Sequence, residues 1–121
     1  MDALKCLCLL YSQNKKFDLI DLDPFGSAFD CFDLSIKMAR KGLCVTLGEM
    51  GHRFWKRLDF VSKRYDIHEL DDFTSDNLIK TIQCIGIQNK KQLIVYRKCD
   101  WHNISRVWFI IEPYKEVSQW K

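Results

Sequence analysis

The stretch Phe17–Ser27, FDLIDLDPFGS, decides the fold expected of this chain. Its apolar residues form a short, almost continuous run, which is typical of a strand buried on both faces of a parallel sheet. The run stops at Asp23. Pro24 cannot donate a hydrogen bond to a neighbouring strand, and Gly26 permits a tight turn. The sequence therefore predicts a strand over residues 17–22 that is followed directly by a stiff turn.

Two carboxylates and one aromatic ring at this turn are candidate binding residues. Asp21 and Asp23 fall at the carboxyl end of the predicted strand, and Phe25 lies on the turn beside them. Ligands of open α/β sheets bind at this edge. A carboxylate can hydrogen-bond to a flat polar ligand such as a nucleobase, and an aromatic ring can stack on it. The alternative interpretation is a solvated acidic loop that binds nothing.

A helix and a second strand follow the turn. The pattern predicts the helix over residues 29–40, with Gly42 ending it, and a buried strand over residues 43–47. A strand, a helix and a strand joined by short loops form a right-handed crossover with parallel strands. Glu49 therefore falls at the same carboxyl edge as Asp23.

The rest of the pattern predicts three further helices and one antiparallel pair of strands. The helices are expected at Ala3 to about Ser12, which should be mostly covered, at about His52 to Tyr65, and at about Asp76 to Gln88. The strands are expected at Leu93–Tyr96 and Val107–Ile111, joined by a polar loop over Lys98–Ser105. The chain is interpreted as one domain, residues 1–121, in which residues 113–121 form a tail.

The helix near residues 52–65 carries cationic side chains and a tryptophan away from its apolar stripe. Arginine and lysine beside an exposed tryptophan suit a phosphate backbone and a base that stacks on the ring. The alternative is an ordinary solvated helix face. The candidate nucleic-acid-binding residues are Arg53, Trp55, Lys56, Arg57, Lys63 and Arg64.

Composition favours a folded protein of the cell interior. Hydrophobic residues make up 47% of the 121 residues, and the net charge is +3. No apolar run approaches the ~20 residues of a membrane span, so we expect no membrane association and a cytoplasmic location. The six cysteines contain no C-x-x-C spacing and are predicted to be reduced thiols of the core. Cys99 and His102 alone do not make a metal site, so no metal is expected.

The order of these elements resembles the second half of a class I S-adenosylmethionine-dependent methyltransferase. The string DLIDLDPFGSA, followed by a helix and KGLCVTLGE, most resembles the tRNA guanine-N2 dimethyltransferases, which carry a similar D-L-D-P-[FY]-G-S. Their next strand tends to end in a threonine–aspartate pattern, whereas this one ends at Thr46–Glu49. The resemblance implies an α/β fold: a truncated Rossmann-like methyltransferase sheet of about four strands, two parallel plus a C-terminal antiparallel pair.

The resemblance also implies roles for individual residues. Asp23, Pro24, Phe25 and Gly26 match the catalytic loop of the family. There the Asp23 carboxylate and the Pro24 carbonyl would hold the amino group of the base, and Phe25 would stack on its ring. Asp2 would be the candidate ligand of the cofactor adenine, and Asp21, on the same edge as Asp23, is a second cofactor-binding candidate.

The sequence departs from the family in its cofactor motif, because no G-x-G occurs in it. We therefore expect this chain alone to bind S-adenosylmethionine weakly or not at all, and its activity is uncertain. The strand over residues 17–22 would leave an unpaired edge. The expected partners are a second copy joined through that edge, or a separate chain that carries the missing half. RNA rather than DNA is the expected nucleic acid.

Two other functions fit parts of the sequence. One is a non-enzymatic module for nucleic-acid binding or dimerisation, derived from the same fold. The other is a phosphohydrolase of the haloacid-dehalogenase type, which also places D-x-D at a strand end. In it, Asp21 would be the nucleophile and Asp23 the acid/base, with Thr46 at the next strand end. Pro24 suits such a loop poorly.

Overall fold

One mixed sheet of four strands carries the helices of this chain. The computed structural model describes residues 3–23, 27–52, 55–101 and 104–114, with the side chains of 51, 52, 55–57 and 60 excepted. The elements in chain order are α1 Ala3–Ser12, β1 Phe17–Leu22, a 3₁₀ turn Phe29–Cys31, α2 Phe32–Met38, β2 Ala39–Leu47, a 3₁₀ turn Gly48–His52, α3 Trp55–Tyr65, a 3₁₀ turn Leu70–Asp72, α4 Ser75–Gln88, β3 Lys91–Trp101 and β4 Ile104–Pro113.

The sheet has the strand order β1-β2-β4-β3. β1 pairs in parallel with β2, with Ile20 opposite Leu43. β4 pairs antiparallel with β2 on one side and with β3 on the other. This α/β arrangement confirms the prediction of one parallel pair and a C-terminal antiparallel pair.

The helices pack against one face of this sheet. Along β4 the side chains alternate, and Val107, Phe109 and Ile111 are buried, while Trp108 is half-buried and Ile110 is exposed. The buried set lies in one core with the inward residues of the helices and of β2. Its members include Phe32, Ile36, Leu43, Val45, Leu47, Val61, Leu78 and Ile82.

The predicted burial of the first two elements is wrong. In β1, Leu22 is buried, but Leu19 is 64% exposed and Phe17 is 37% exposed. Within the described residues β2 is the neighbour of β1, so β1 is an edge strand with an open side. α1 was expected to be mostly covered, yet of its residues Leu7 is buried, and Leu9 is exposed.

The predicted second helix is too long. α2 ends at Met38, and Ala39 already belongs to β2, where it pairs with Phe17. Gly42 therefore does not end a helix. It lies inside β2, where an added Cβ would come within 3.0 Å of Leu19 Cδ1 and 3.4 Å of the Phe109 carbonyl oxygen.

The predicted terminal loop is also wrong, because β3 extends into it as far as Trp101 and β4 begins in it at Ile104. Asp100 pairs with Ser105, and Cys99 with Arg106. The polar side chains of this segment bond to one another, which lets it continue as a strand pair. The predicted tail over 113–121 begins at Pro113, the last residue of β4, and residues 115–121 lie outside the described residues.

None of the six cysteines, all of which are described, forms a disulfide, but they are not all core residues. Cys31 and Cys44 are buried, and Cys99 is half-buried. Cys6, Cys8 and Cys84 are exposed, so the prediction of core thiols is wrong for these three. Cys6 and Cys8 lie on α1, the helix whose burial was overestimated.

Candidate functional site

The carboxyl edge of the parallel pair gathers three acidic residues. Asp21 lies near the end of β1 and Asp23 directly follows it, while Glu49 lies in the 3₁₀ turn after β2. Because β1 and β2 are parallel, their ends meet at this edge, as the sequence predicted. The side chain of Asp21 is half-exposed and that of Asp23 is exposed, whereas Glu49 is 4% exposed. The edge therefore combines one buried and two accessible carboxyl groups.

Arg106 organises the two accessible carboxylates. Its Nη2 donates to Asp21 Oδ2 at 2.6 Å, and its Nη1 donates to Thr46 Oγ1 at 2.7 Å. Nη1 also lies 4.0 Å from Asp23 Oδ2. The hydrogen bond that Arg106 donates to Asp21 raises the pKa of Arg106, so the guanidinium stays charged. Asp21 is thus held tightly, and Asp23 keeps acceptor capacity for a ligand.

Glu49 forms a second, buried network. Ser27 Oγ donates to Glu49 Oε2 at 2.7 Å, and Tyr65 OH donates to the same oxygen at 2.6 Å. Glu49 Oε1 is buried and has no hydrogen-bond partner among the described residues. Burial, and then the charge of Glu49, raises the pKa of Tyr65, so the phenol remains a neutral donor. The ring of Phe29 meets that of Tyr65 edge-to-face at 5.1 Å and fixes its position.

On the open face of the sheet, one aromatic ring and two cationic side chains lie next to these carboxyl groups. The guanidinium of Arg106 lies 5.4 Å from the ring centre of Trp108, and that of Arg97 lies 5.8 Å from it. Cys44 is paired with Trp108 in the sheet and is almost fully buried. Burial, and then Asp21, raises the pKa of Cys44 to about 11, so its thiol stays protonated.

The structure describes some of the predicted site residues and not others. Asp21 and Asp23 lie together, as described above. Lys63 and Arg64 lie in the last turn of α3, the first exposed and the second half-buried. Trp55, Lys56 and Arg57 belong to α3, but their side chains lie outside the described part, as do Asp2, Pro24, Phe25, Gly26 and Arg53 altogether.

Three residues that donate hydrogen bonds to the carboxyl groups of the site were not assigned to it from the sequence. Ser27 was part of the quoted motif, and Tyr65 was assigned to the core stripe of a helix. Arg106 lies between the predicted loop, which ends at Ser105, and the predicted strand, which begins at Val107, so it was assigned to neither. Its partner Asp21 is 85 positions away along the chain. No local pattern reveals a contact of that separation.

The described part of the chain contains neither a metal-binding cluster nor a membrane-spanning helix. No group of three or more His, Cys, Asp or Glu side chains there could hold a metal ion. None of the described helices combines the length and the apolar character needed to cross a bilayer.

The topology and strand order are those of part of a Rossmann-like methyltransferase sheet. Among solved structures, the chain is similar to Trm1 from Pyrococcus horikoshii, in its complex with S-adenosyl-L-methionine. The TM-score is 0.74 and the sequence identity is 19%. The match covers 94% of this chain and 32% of that one, so this chain spans about a third of its length. No protein-family model and no curated protein matches the sequence.

Proposed function

We propose that this chain carries the base-binding part of a nucleic-acid methyltransferase that acts on an amino group and uses S-adenosylmethionine. The single observation that carries the proposal is the grouping of Asp21, Asp23 and Arg106 at the carboxyl edge of a methyltransferase-like sheet. Asp23 immediately precedes Pro24 and Phe25, the residues that resemble the family's catalytic loop. The likeness in fold to a protein solved with this cofactor supports the same conclusion.

The geometry suits recognition of an amino group. Asp23 is exposed and only loosely attracted to Arg106, so its carboxylate can accept a hydrogen bond from a base. Arg106 donates one hydrogen bond to Asp21 on β1 and another to Thr46 near the end of β2. These two bonds make this part of the site rigid. A rigid acceptor orients the nitrogen lone pair, and its charge stabilises the positive charge that develops on nitrogen during transfer.

S-adenosylmethionine, when bound, supplies the methyl group. Of the two cofactor candidates, Asp21 is described, and its side chain is half-exposed. A carboxylate has about four acceptor positions, so Asp21 can hold a further donor beside Arg106. We propose that this chain alone binds the cofactor weakly and that a second polypeptide segment completes the cofactor site.

We propose that a second copy covers β1. The strand presents an open hydrogen-bonding side and the exposed apolar side chains of Phe17 and Leu19. Such an edge favours pairing with another chain. Light scattering after gel filtration tests this proposal on the wild type and on Leu19→Lys, with Leu70→Lys as a control because Leu70 is also exposed but lies far along the chain. A dimer that only Leu19→Lys disrupts supports the proposal, and a monomeric wild type at high concentration contradicts it.

The methylation proposal is tested by replacing Asp23 with asparagine. The matched control is Asp18→Asn, on the same strand but near its amino end. Transfer of labelled methyl groups from S-adenosylmethionine to an unmodified tRNA transcript, and to DNA of similar length, is measured together with affinity for both. We expect Asp23→Asn to lower transfer by about 100-fold or more, and Asp18→Asn to leave it unchanged.

The affinity arm decides the outcome if the isolated chain transfers no methyl group. In that case we expect the wild type to bind the tRNA transcript and Asp23→Asn to bind it about tenfold more weakly, the effect of replacing a charge-assisted hydrogen bond by a neutral one. A wild type that neither methylates nor binds either nucleic acid at low salt contradicts the proposal.

A further inference from the structure

A cavity lies beside the candidate site, on the opposite face of the sheet at β4. Its volume is about 240 Å³, and its walls come from the end of β3, the start of β4 and the start of α4. Ser105 and Arg106 are consecutive on β4, and their side chains point to opposite faces of the sheet. Arg106 binds Asp21 in the site described above, while Ser105 lines the cavity. One strand thus contributes to both places.

A fixed carboxylate is the main polar group of this cavity. Ser105 Oγ donates to Asp100 Oδ1 at 2.5 Å, and Lys98 Nζ lies 3.2 Å from Asp100 Oδ2. The hydrogen bond from Ser105, ahead of the contact with Lys98, lowers the pKa of Asp100, so the group is ionised. The Asp100 side chain is still half-exposed. It can therefore accept further hydrogen bonds from a ligand in a defined direction.

The charge around the cavity favours a hydrogen-bond donor over a phosphate. Lys98 also donates to Asp76 Oδ1 at 2.8 Å, so one cation faces two carboxylates. The cluster carries a formal net charge of about −1, which favours a neutral base or sugar in the cavity and keeps the phosphates of a nucleic-acid chain outside it. Ligands with amino or hydroxyl groups fit this arrangement.

The remaining wall is aromatic and apolar. Trp101 is 56% exposed, and Met50 and Ile104 line the cavity with it. An exposed indole can take a base on its face, and this stacking is tolerant of sequence. The volume lies below the ~300–1,000 Å³ typical of sites for larger ligands, so a single nucleoside fits better than a larger molecule.

We infer that this cavity binds a nucleoside of the nucleic-acid chain whose target base enters the neighbouring site. The base stacks on Trp101, and its amino group or a sugar hydroxyl donates to Asp100. The inference rests on the proposed function. β1 and β3 are separated by three strand spacings, which is about 14 Å along the sheet. The two places lie on opposite faces at the edge where β2 ends, since Ser105 pairs with Leu47. A continuous nucleic-acid chain can occupy both places at that distance, whereas one free nucleoside occupies only one of them.

The test compares two exposed aromatic residues of β3. Trp101→Ala removes the stacking surface of the cavity, and Tyr96→Ala removes an aromatic that is 72% exposed and lies outside it. Affinity for labelled single-stranded RNA is measured by fluorescence anisotropy, with free adenosine and S-adenosylmethionine as competitors. Thermal melting shows that each variant is folded. We expect Trp101→Ala to weaken RNA binding by about 5- to 150-fold, and Tyr96→Ala to leave it unchanged.

Other outcomes separate this inference from the proposed function. If Trp101→Ala binds RNA as the wild type does while Asp23→Asn binds it more weakly, the cavity inference is wrong and the proposed function stands. If Trp101→Ala weakens RNA binding and Asp23→Asn changes neither binding nor transfer, the cavity is a nucleoside site and the proposed target site is wrong. Displacement of RNA by low concentrations of free adenosine or S-adenosylmethionine contradicts the inference, because the cavity would then serve a free nucleoside.

Discussion

β1 and β2 are neighbours in one sheet, and their sequences predict the same burial, but the structure treats them differently. In β2 the residues from Gly42 to Leu47 are all buried. In β1, Leu22 is the buried residue, and Leu19 is the most exposed aliphatic side chain of the strand. β2 has a strand on each side, whereas β1 has β2 alone within the described residues. An apolar run therefore indicates a strand, but its burial depends on what lies beside it.

The largest expected difference is between Leu43 and Leu19. Leu43→Ala removes a side chain that is fully buried and should lower the free energy of unfolding by about 2–5 kcal/mol. Leu19→Ala should change it by less than about 0.5 kcal/mol at protein concentrations at which the chain is monomeric, because the side chain is 64% exposed. Urea unfolding of both variants measures the difference. An equal loss in both would show that β1 is covered in solution, for example by a second copy.

The strand ends differ in the same way, since Glu49 after β2 is buried and Asp23 after β1 is exposed. Tyr65→Phe removes one of the two hydroxyl donors of Glu49 Oε2 and should cost about 1–3 kcal/mol of unfolding free energy. Urea unfolding is again the measurement, with Tyr96→Phe as the control on an exposed tyrosine. An unchanged midpoint for Tyr65→Phe would contradict the buried network.

Alanine substitutions at Gly86 and Gly42 test how firmly the neighbouring side chains of Leu93 and Leu19 are held in place. At Gly86, an added Cβ would lie 2.8 Å from Leu93 Cγ and 3.0 Å from the Lys91 carbonyl oxygen. Leu93 is buried and cannot move away, so Gly86→Ala should destabilise the protein by about 1–2 kcal/mol, despite the better helix propensity of alanine.

Gly42→Ala is the matched variant in β2. Its nearest neighbour is the terminal Cδ1 of Leu19, an exposed side chain that can rotate away. We expect a change within about 0.5 kcal/mol, measured by the same unfolding experiment. In the monomer, a loss as large as that of Gly86→Ala would show that Leu19 is held in place, which would contradict the open side of β1.

The smallest expected effect is a difference between Cys8 and Cys44 in the rate of alkylation, not a difference in stability. Burial raises the pKa of Cys44 in β2 to about 11, so almost none of it is thiolate at a pH of about 8.5, near the ordinary pKa of a thiol. Cys8 on α1 is exposed. Mass spectrometry after brief alkylation should therefore find Cys8 modified and Cys44 unmodified, with Cys44 reacting only as the pH approaches 11 or after unfolding. Equal rates at both sites would contradict the burial of β2.

Element types followed from the sequence, and several boundaries did as well. The bounds of α1 and β1 agree with the predictions, and Thr74 caps α4 through its side chain, as a start signal of this kind indicates. The helix prediction over residues 39 and 40 is wrong because alanine and arginine favour helices, while pairing with β1 places this segment in a strand. Local preferences are weak, and sheet pairing overrides them.

The candidate site also has a part that the sequence predicted and a part that it did not. The meeting of Asp21, Asp23 and Glu49 at one edge was predictable, because it follows from the parallel direction of two strands. The contacts of Arg106 and Tyr65 were not, because they join residues that are distant in the chain.

The sequence alone determined where the strands and most helices form and which edge collects the carboxyl groups, because periodicity and turn residues act within a few positions. The tertiary structure decided which strand is open and which carboxyl group is buried. It also decided that one arginine connects three elements of the sheet. Those properties depend on neighbours brought together by folding, and no local stretch of the chain contains that information.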